Sequence, residues 1–166
     1  MNGMLRVLIL GLCMACLLGV SACSSKRIAA HGPSQQAVRQ YTMGQRVVLA
    51  AQKQIGRKYR FGGESPSRGF DCSGLIWWAY RANGINVPRV TGDQAKAGVR
   101  VSPRRAQPGD ILVFKTGRFW GGLHTALYVG NGQFIHSPSS GKRVRIDTLA
   151  NEYWGPRLRD VRRIVR

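Results

Sequence analysis

The chain is short of acid, of cysteine, of histidine and of long apolar runs. Only 7 of its 166 residues are Asp or Glu against 26 Lys and Arg, a formal net charge of +19. Its longest uninterrupted apolar run, VLILGLCMACLLGV, covers residues 7–20. A bilayer-spanning helix needs about 20 apolar residues and a signal-peptide core roughly 7–15, so this run favours an export leader over a spanning anchor. No internal repeat is present. Four cysteines and three histidines leave few groups for nucleophilic or metal chemistry, and Cys13 and Cys16 already fall inside the apolar run.

Small residues follow that run. Val20-Ser21-Ala22-Cys23 has the form of a bacterial lipobox: an aliphatic residue, two small residues, then the cysteine that takes the lipid. The expected organisation is a lipoprotein signal peptide over 1–22, an acylated N-terminus and flexible tether over 23–40, and one domain over 41–166. Ser24 after Cys23 points to the outer membrane, facing the periplasm. With two cysteines leaving in the leader and Cys23 spent on acylation, Cys72 is the single thiol left. In an oxidising compartment paired cysteines are the norm, and a lone one cannot form an internal bridge. It is either a buried, inert small hydrophobe or a working thiol.

Only Arg6 of the basic residues precedes Cys23, so the charge excess stays with the exported part. Charge alone is compatible with nucleic acid, but an exported chain meets anionic envelope polymers and lipid head groups instead. A field of this sign aids encounter and names no substrate. Nucleic acid is therefore not an expected partner.

From Tyr41 the pattern becomes structural. Val47, Val48, Ala51 and Ile55 form a helical stripe that Gly56 would stop. After the loop YRFGGESPSRGFD, Asp71 is a fitting N-cap. Leu75, Trp78, Ala79 and Ala82 keep helical spacing, and Asn83-Gly84 closes the helix. Thr91-Gly92-Asp93-Gln94 has the form of a capping box opening a third helix. After Gln107-Pro108-Gly109 come five short strand-like runs, DILVF, HTALYVG, QFIHSP, VRIDTL and DVRRIV. Helices first and strands second predict an α+β fold, with the N-terminal helices packed on a roughly five-stranded antiparallel sheet.

Cys72 then stands at a helix N-terminus, where backbone N–H groups and the helix dipole favour a thiolate. Such a nucleophile needs a base and something to orient it. His31 lies in the tether, which leaves His124 and His136 on either side of Asn131-Gly132. A two-residue loop would set Gly130 against Gln133 and His136 against Leu127, placing the histidines on opposite faces. A three-residue loop, Gly130-Asn131-Gly132 with Gly132 left-handed, sets His136 against Ala126 instead. The histidines then share a face with Tyr128 and Phe134, while Leu127, Val129 and Ile135 form a core on the other. A shared histidine site predicts the three-residue loop. The rival use of Cys72, His124 and His136 is zinc binding, but a structural site wants a fourth ligand and no CxxC or HxxxH pair accompanies them.

FDCSG, HTALYVGNGQFIHSPSSG and YRFGG, with PRVTGDQ, QPGDILVF and a closing YW…R…RR pattern, resemble the NlpC-type cell-wall peptidases, a family of papain-like cysteine hydrolases. The resemblance runs from about Val47 to the C-terminus. It implies a cysteine endopeptidase that hydrolyses amide bonds in peptidoglycan peptide stems without cofactor or metal. The bond is D-glutamyl to diamino acid, or a cross-link between stems. Matched by motif, Cys72 is the nucleophile, His124 the base and His136 the orienting residue. Tyr59 falls at the tyrosine near the oxyanion, and Asp71 and Ser73 border the substrate's amino-terminal side. The family commonly has His-Val-Gly-Ile-Tyr where this chain has His124-Thr125-Ala126-Leu127-Tyr128, and Pro-Arg-Thr-Thr where it has Pro88-Arg89-Val90-Thr91. Phe119 and Trp120 stand in the loop before His124, as a cap on the core or a wall of the groove. A binding protein for peptidoglycan without catalysis is the alternative, and the sequence names no regulatory partner.

Overall fold

The computed structural model describes residues 41–117 and 122–165. The expectations placed on the leader, Cys23 and the tether, and on Phe119 and Trp120, lie outside the described residues.

Helix α1 (Met43–Gln52) opens on a reciprocal cap that the sequence reading overlooked. Thr42 Oγ1 accepts the Gln45 N–H at 3.2 Å and Gln45 Oε1 accepts the Thr42 N–H at 2.8 Å, which satisfies two otherwise orphaned donors. Val47, Val48 and Ala51 are buried as their spacing predicts. Ile55 is 50 % exposed. The helix stops short of it because the chain turns, and the Gly56 N–H bonds the Val144 carbonyl at 2.9 Å.

Helix α2 (Cys72–Arg81) is capped by Asp71, whose Oδ1 accepts the Gly74 N–H at 2.6 Å. It buries Leu75, Ile76, Ala79 and Tyr80. The glycine after Cys72-Ser73 has a steric reason: a Cβ on Gly74 would sit 2.0 Å from the Gly63 carbonyl oxygen. Helix α3 (Thr91–Gln94) corrects the capping-box expectation. Val90 is the N-cap and no side chain caps it. Gln94 is instead fully buried, its amide donating to the carbonyls of Ser73 and Pro88, each at 2.9 Å, and accepting from Thr125 Oγ1 at 3.0 Å.

Strands β1 (Glu64–Ser65) and β2 (Gly69–Phe70) make a small ribbon. The main sheet comprises β3 (Val99–Arg100), β4 (Ile111–Lys115), β5 (Leu123–Gly130), β6 (Gln133–His136), β7 (Arg145–Thr148) and β8 (Leu158–Arg163). Its order is β3-β8-β4-β5-β6-β7, antiparallel throughout. The fold is α+β as expected, with six strands rather than about five. The extra one, β3, is two exposed residues without an apolar pattern, which is why composition did not reveal it.

The β5–β6 hairpin reaches the expected register by another route. Leu127 pairs with Ile135 and Tyr128 with Phe134, but Gly130 then pairs with Gln133. The turn is the two-residue Asn131-Gly132, with φ of 50° and 72°, and the extra residue is absorbed as a bulge between Tyr128 and Gly130. A bulge shifts register by one residue and so flips every side chain beyond it. The histidines therefore share a face without a three-residue loop.

Both faces of the sheet are cores. Ile111, Leu127 and Ile135 pack with Val47, Leu75, Ile76 and Tyr80 of the helices. On the alternate face Leu112, Phe114, Ala126, Phe134 and Val161 pack with Trp154. Each fully buried Leu, Ile or Phe contributes about 1.5–3 kcal/mol. The histidine face is thus a second core, and its imidazoles are largely stripped of water.

Candidate active site

Cys72 is the first residue of α2, half-buried and free of any disulfide. Its Sγ lies 3.5 Å from Thr91 Oγ1. His124, at the start of β5, is 6 % exposed, and His136, at the end of β6, is fully buried. His124 Nε2 stands 2.9 Å from His136 Nδ1, and His136 Nε2 stands 2.9 Å from Asp147 Oδ2. The same carboxylate oxygen accepts from Arg145 Nη2 at 2.8 Å and Nε at 3.1 Å, and from Trp154 Nε1 at 3.1 Å.

The polarity of this chain follows from its end. An ionised carboxylate can only accept, so His136 carries its proton on Nε2 and offers a lone pair at Nδ1. His124 must then donate from Nε2, which leaves its Nδ1 as the basic atom. Burial first, and the neighbouring His136 second, hold His124 down to about 3. Burial also holds His136 down to about 4, against the pull of Asp147. Burial alone would raise Asp147, but hydrogen bonds from Arg145 and His136 outweigh it and keep the carboxylate below its ordinary range. At neutral pH the site therefore holds two neutral imidazoles backed by an anion, a base at rest with stabilisation ready for its protonated form.

Asp147 and Trp154 are the residues that sequence reasoning missed. The Trp154 ring stacks edge-on against His136, with centroids 4.8 Å apart, and lies 5.2 Å from His124. It packs both imidazoles while its N–H helps to fix the carboxylate. Trp154 stands in the closing YW pattern, one strand after His136, and that pattern was its only sequence signal; Asp147 had none.

Cys72 and His124 line one cleft of about 600 Å³, together with Tyr59, Asp71, Ser73 and Arg89. All the sequence-predicted pocket residues therefore meet there except His136, which sits behind His124. Gln94 fixes the two sides against each other, because it bonds the neighbour of Cys72, Ser73, and the neighbour of His124, Thr125. Asp71 is heavily engaged: it accepts from the N–H groups of Gly62 and Gly74, from Ser73 Oγ, and from both Arg89 terminal nitrogens at 3.0 Å. Arg89 Nε also donates to Glu64 at 2.7 Å. Tyr59 is raised by burial, then by Cys72 and Asp71 nearby, so its O–H remains a donor. Among the described residues no group of three or more His, Cys, Asp or Glu is arranged to hold a metal.

A helix that presents a cysteine at its start, packed on an antiparallel sheet that carries an imidazole pair, is a papain-like α+β architecture. The chain belongs to the NlpC/P60 family, whose profile matches residues 56–163. It is 38 % identical over 125 residues to the gamma-DL-glutamyl hydrolase of Bacillus subtilis (strain 168), covering 74 % of this chain and 30 % of that protein. It is 36 % identical over 116 residues to the murein DD-endopeptidase MepH of Escherichia coli (strain K12), covering 68 % and 43 %. The crystal structure of an NlpC/P60 family protein from Bacillus cereus ATCC 10987 superposes with a TM-score of 0.69 at 30 % identity, covering 81 % of this chain and 44 % of that one. The chain spans less than half the length of each of these curated relatives.

Proposed function

We propose that this protein is a cysteine endopeptidase that hydrolyses amide bonds in the peptide stems of peptidoglycan, at the D-glutamyl–diamino acid bond or at a cross-link. The observation that carries this reading is one cleft lined by a helix-start thiol and by a histidine whose far nitrogen leads through His136 to Asp147. Family relatives named as a glutamyl hydrolase and a murein endopeptidase supply the substrate class.

The chemistry runs in two halves. The Cys72 proton passes to His124 Nδ1 and the thiolate attacks the scissile carbonyl carbon. The oxyanion is held by the backbone N–H at the helix start and the Tyr59 O–H. The imidazolium is stabilised through His136 by the Asp147 charge, which answers the weakness of a neutral orienting residue. His124 then protonates the leaving amine as the C–N bond breaks, leaving an acyl thioester on Cys72. A water that gives its proton to His124 hydrolyses the thioester and restores the thiol.

The same proposal places the protein in the bacterial envelope, lipid-anchored at Cys23 after removal of residues 1–22 and facing the periplasm from the outer membrane. The lipobox and the length of the apolar run support this. Among the described residues no helix is long and apolar enough to cross a membrane. The test is mass spectrometry of purified muropeptides incubated with the full-length protein and with its Cys72→Ser variant. Fragments from the first alone are the expected result, and their masses name the bond. No fragments from either would favour the non-catalytic binding protein.

A further inference from the structure

Past His124 the surface opens into a second cleft, of about 500 Å³, which shares His124 and Pro138 with the first. Its other walls include Lys142, Arg145, Asp147, Tyr153 and Trp154. Its charge is the reverse of the first cleft's. The first has Glu64 and Asp71 against Arg89, whereas the second has Lys142 and Arg145 against Asp147. Asp147 is already neutralised by Arg145, which spends Nε and Nη2 on it. Lys142 is exposed and forms no ion pair among the described residues. Its backbone is nevertheless pinned: its N–H donates to the Ser139 carbonyl at 3.0 Å, and its carbonyl accepts from the Tyr59 N–H at 2.9 Å. The cation is thus placed on a backbone tied to the wall of the reaction cleft.

We propose that this second cleft is the leaving-group subsite, selecting a peptide that carries a free carboxylate on the amine side of the scissile bond, with Lys142 as the specificity-determining cation. The proposal rests on the hydrolase reading above. The acyl half of the substrate stays on Cys72, in the first cleft. The proton for the leaving amine comes from His124, so that amine sits at His124 when the bond breaks, and the rest of the leaving half extends past His124. The cleft that has His124 as its wall on that side is the cationic one. In a stem peptide with diaminopimelate as its diamino acid, the leaving half bears the free carboxylate of that residue and that of the terminal D-alanine. The substrate therefore lies with its amino end toward Glu64 and Asp71 and its acidic end toward Lys142. A charge-assisted bond of this kind, partly open to water, gives a preference of about fivefold.

The test measures binding and turnover separately on the full-length protein in detergent micelles. Diaminopimelyl-D-alanine and the same dipeptide with its C-terminal carboxylate amidated are titrated by NMR against Cys72→Ala protein. The titrations are repeated with Lys142→Gln and Lys142→Arg added. The free acid is expected to bind about fivefold more tightly, the ratio to fall towards one in Lys142→Gln, and Lys142→Arg to retain most of it. Equal binding of acid and amide, no binding of either at millimolar concentration, or an undiminished ratio in Lys142→Gln would overturn the subsite. Hydrolysis of muropeptides by the Cys72-containing protein is followed in parallel. A carboxylate preference without turnover would overturn the hydrolase reading while keeping an anion-selective cleft. Turnover without the preference would overturn the subsite alone.

Discussion

The two clefts that meet at His124 are built in opposite ways. The reaction cleft is made by a helix start and the loops around it, and its polar groups are mutually satisfied: Asp71 alone accepts from two backbone N–H groups, Ser73 and both Arg89 terminal nitrogens. Such saturation holds Cys72 in place and leaves little for a ligand to rearrange. The second cleft is walled by the β6–β7 connection and Trp154, and keeps an uncommitted cation at its rim. The contrast teaches a division of labour. One side is rigid and carries chemistry, the other carries charge with room to select, and the imidazole between them serves both.

Removing the shared wall is the severest way to break this arrangement. His124→Ala is expected to lower kcat/KM for muropeptides by about 10³–10⁴-fold, since base and acid are lost together. Thermal unfolding of the variant separates that loss from misfolding. Next comes the bolt between the two sides. Gln94→Leu removes the side-chain donor to the Ser73 and Pro88 carbonyls and leaves the buried Thr125 hydroxyl without its acceptor. A cost of about 3 kcal/mol is expected, read as a lowered denaturation midpoint.

Asp147→Asn acts on the imidazole pair from the second cleft. The amide can donate as well as accept, so the direction of the relay is no longer dictated, and the charge behind the imidazolium is gone. A fall in kcat of about 10–100-fold is expected, less than in a triad where the carboxylate touches the base directly. KM for an amidated substrate should move little. An equal fall in kcat for an Asp147→Ala variant with no shift in the pH profile would make Asp147 merely structural.

A further effect is one of pH. Both imidazoles have folded-state values, about 3 and about 4, below the ordinary histidine value of 6.5. Above pH 6.5 neither state binds the proton. As pH falls from 6.5 towards 4 the unfolded chain takes up protons that the folded one refuses, so stability declines. Each imidazole contributes up to about 1.4 kcal/mol per pH unit in that window, so the pair gives a slope of about 2–3 kcal/mol per pH unit near pH 5. His136→Asn should flatten it, which urea unfolding at pH 7, 6 and 5 would show.

These differences also explain what was legible in the sequence. The reaction cleft was, because its parts are local: Asp71, Cys72 and Gly74 lie within one turn, and Tyr59 in the adjoining loop. The histidines were too, because a short hairpin leaves only two registers to choose between, although the bulge that sets the register was hidden. Asp147 was not. It reaches His136 through the β6–β7 register, which pairs Phe134 with Asp147 across a connection of eight residues that no local rule fixes. Gln94 was misread because a Thr-x-x-Gln spacing promised a cap where burial demanded a tie, while Thr42 and Gln45 supplied the real one.

The proposed mechanism requires Cys72 to be the thiol that a bound stem peptide addresses. A stem peptide with a chloromethyl ketone in place of the scissile amide tests it directly, followed by peptide mapping of the labelled protein. One label per chain, on Cys72, at a rate reduced by Asp147→Asn and absent in Cys72→Ser, is the expected result. A label on any other residue, or muropeptide hydrolysis retained by Cys72→Ser, would rule Cys72 out as the nucleophile.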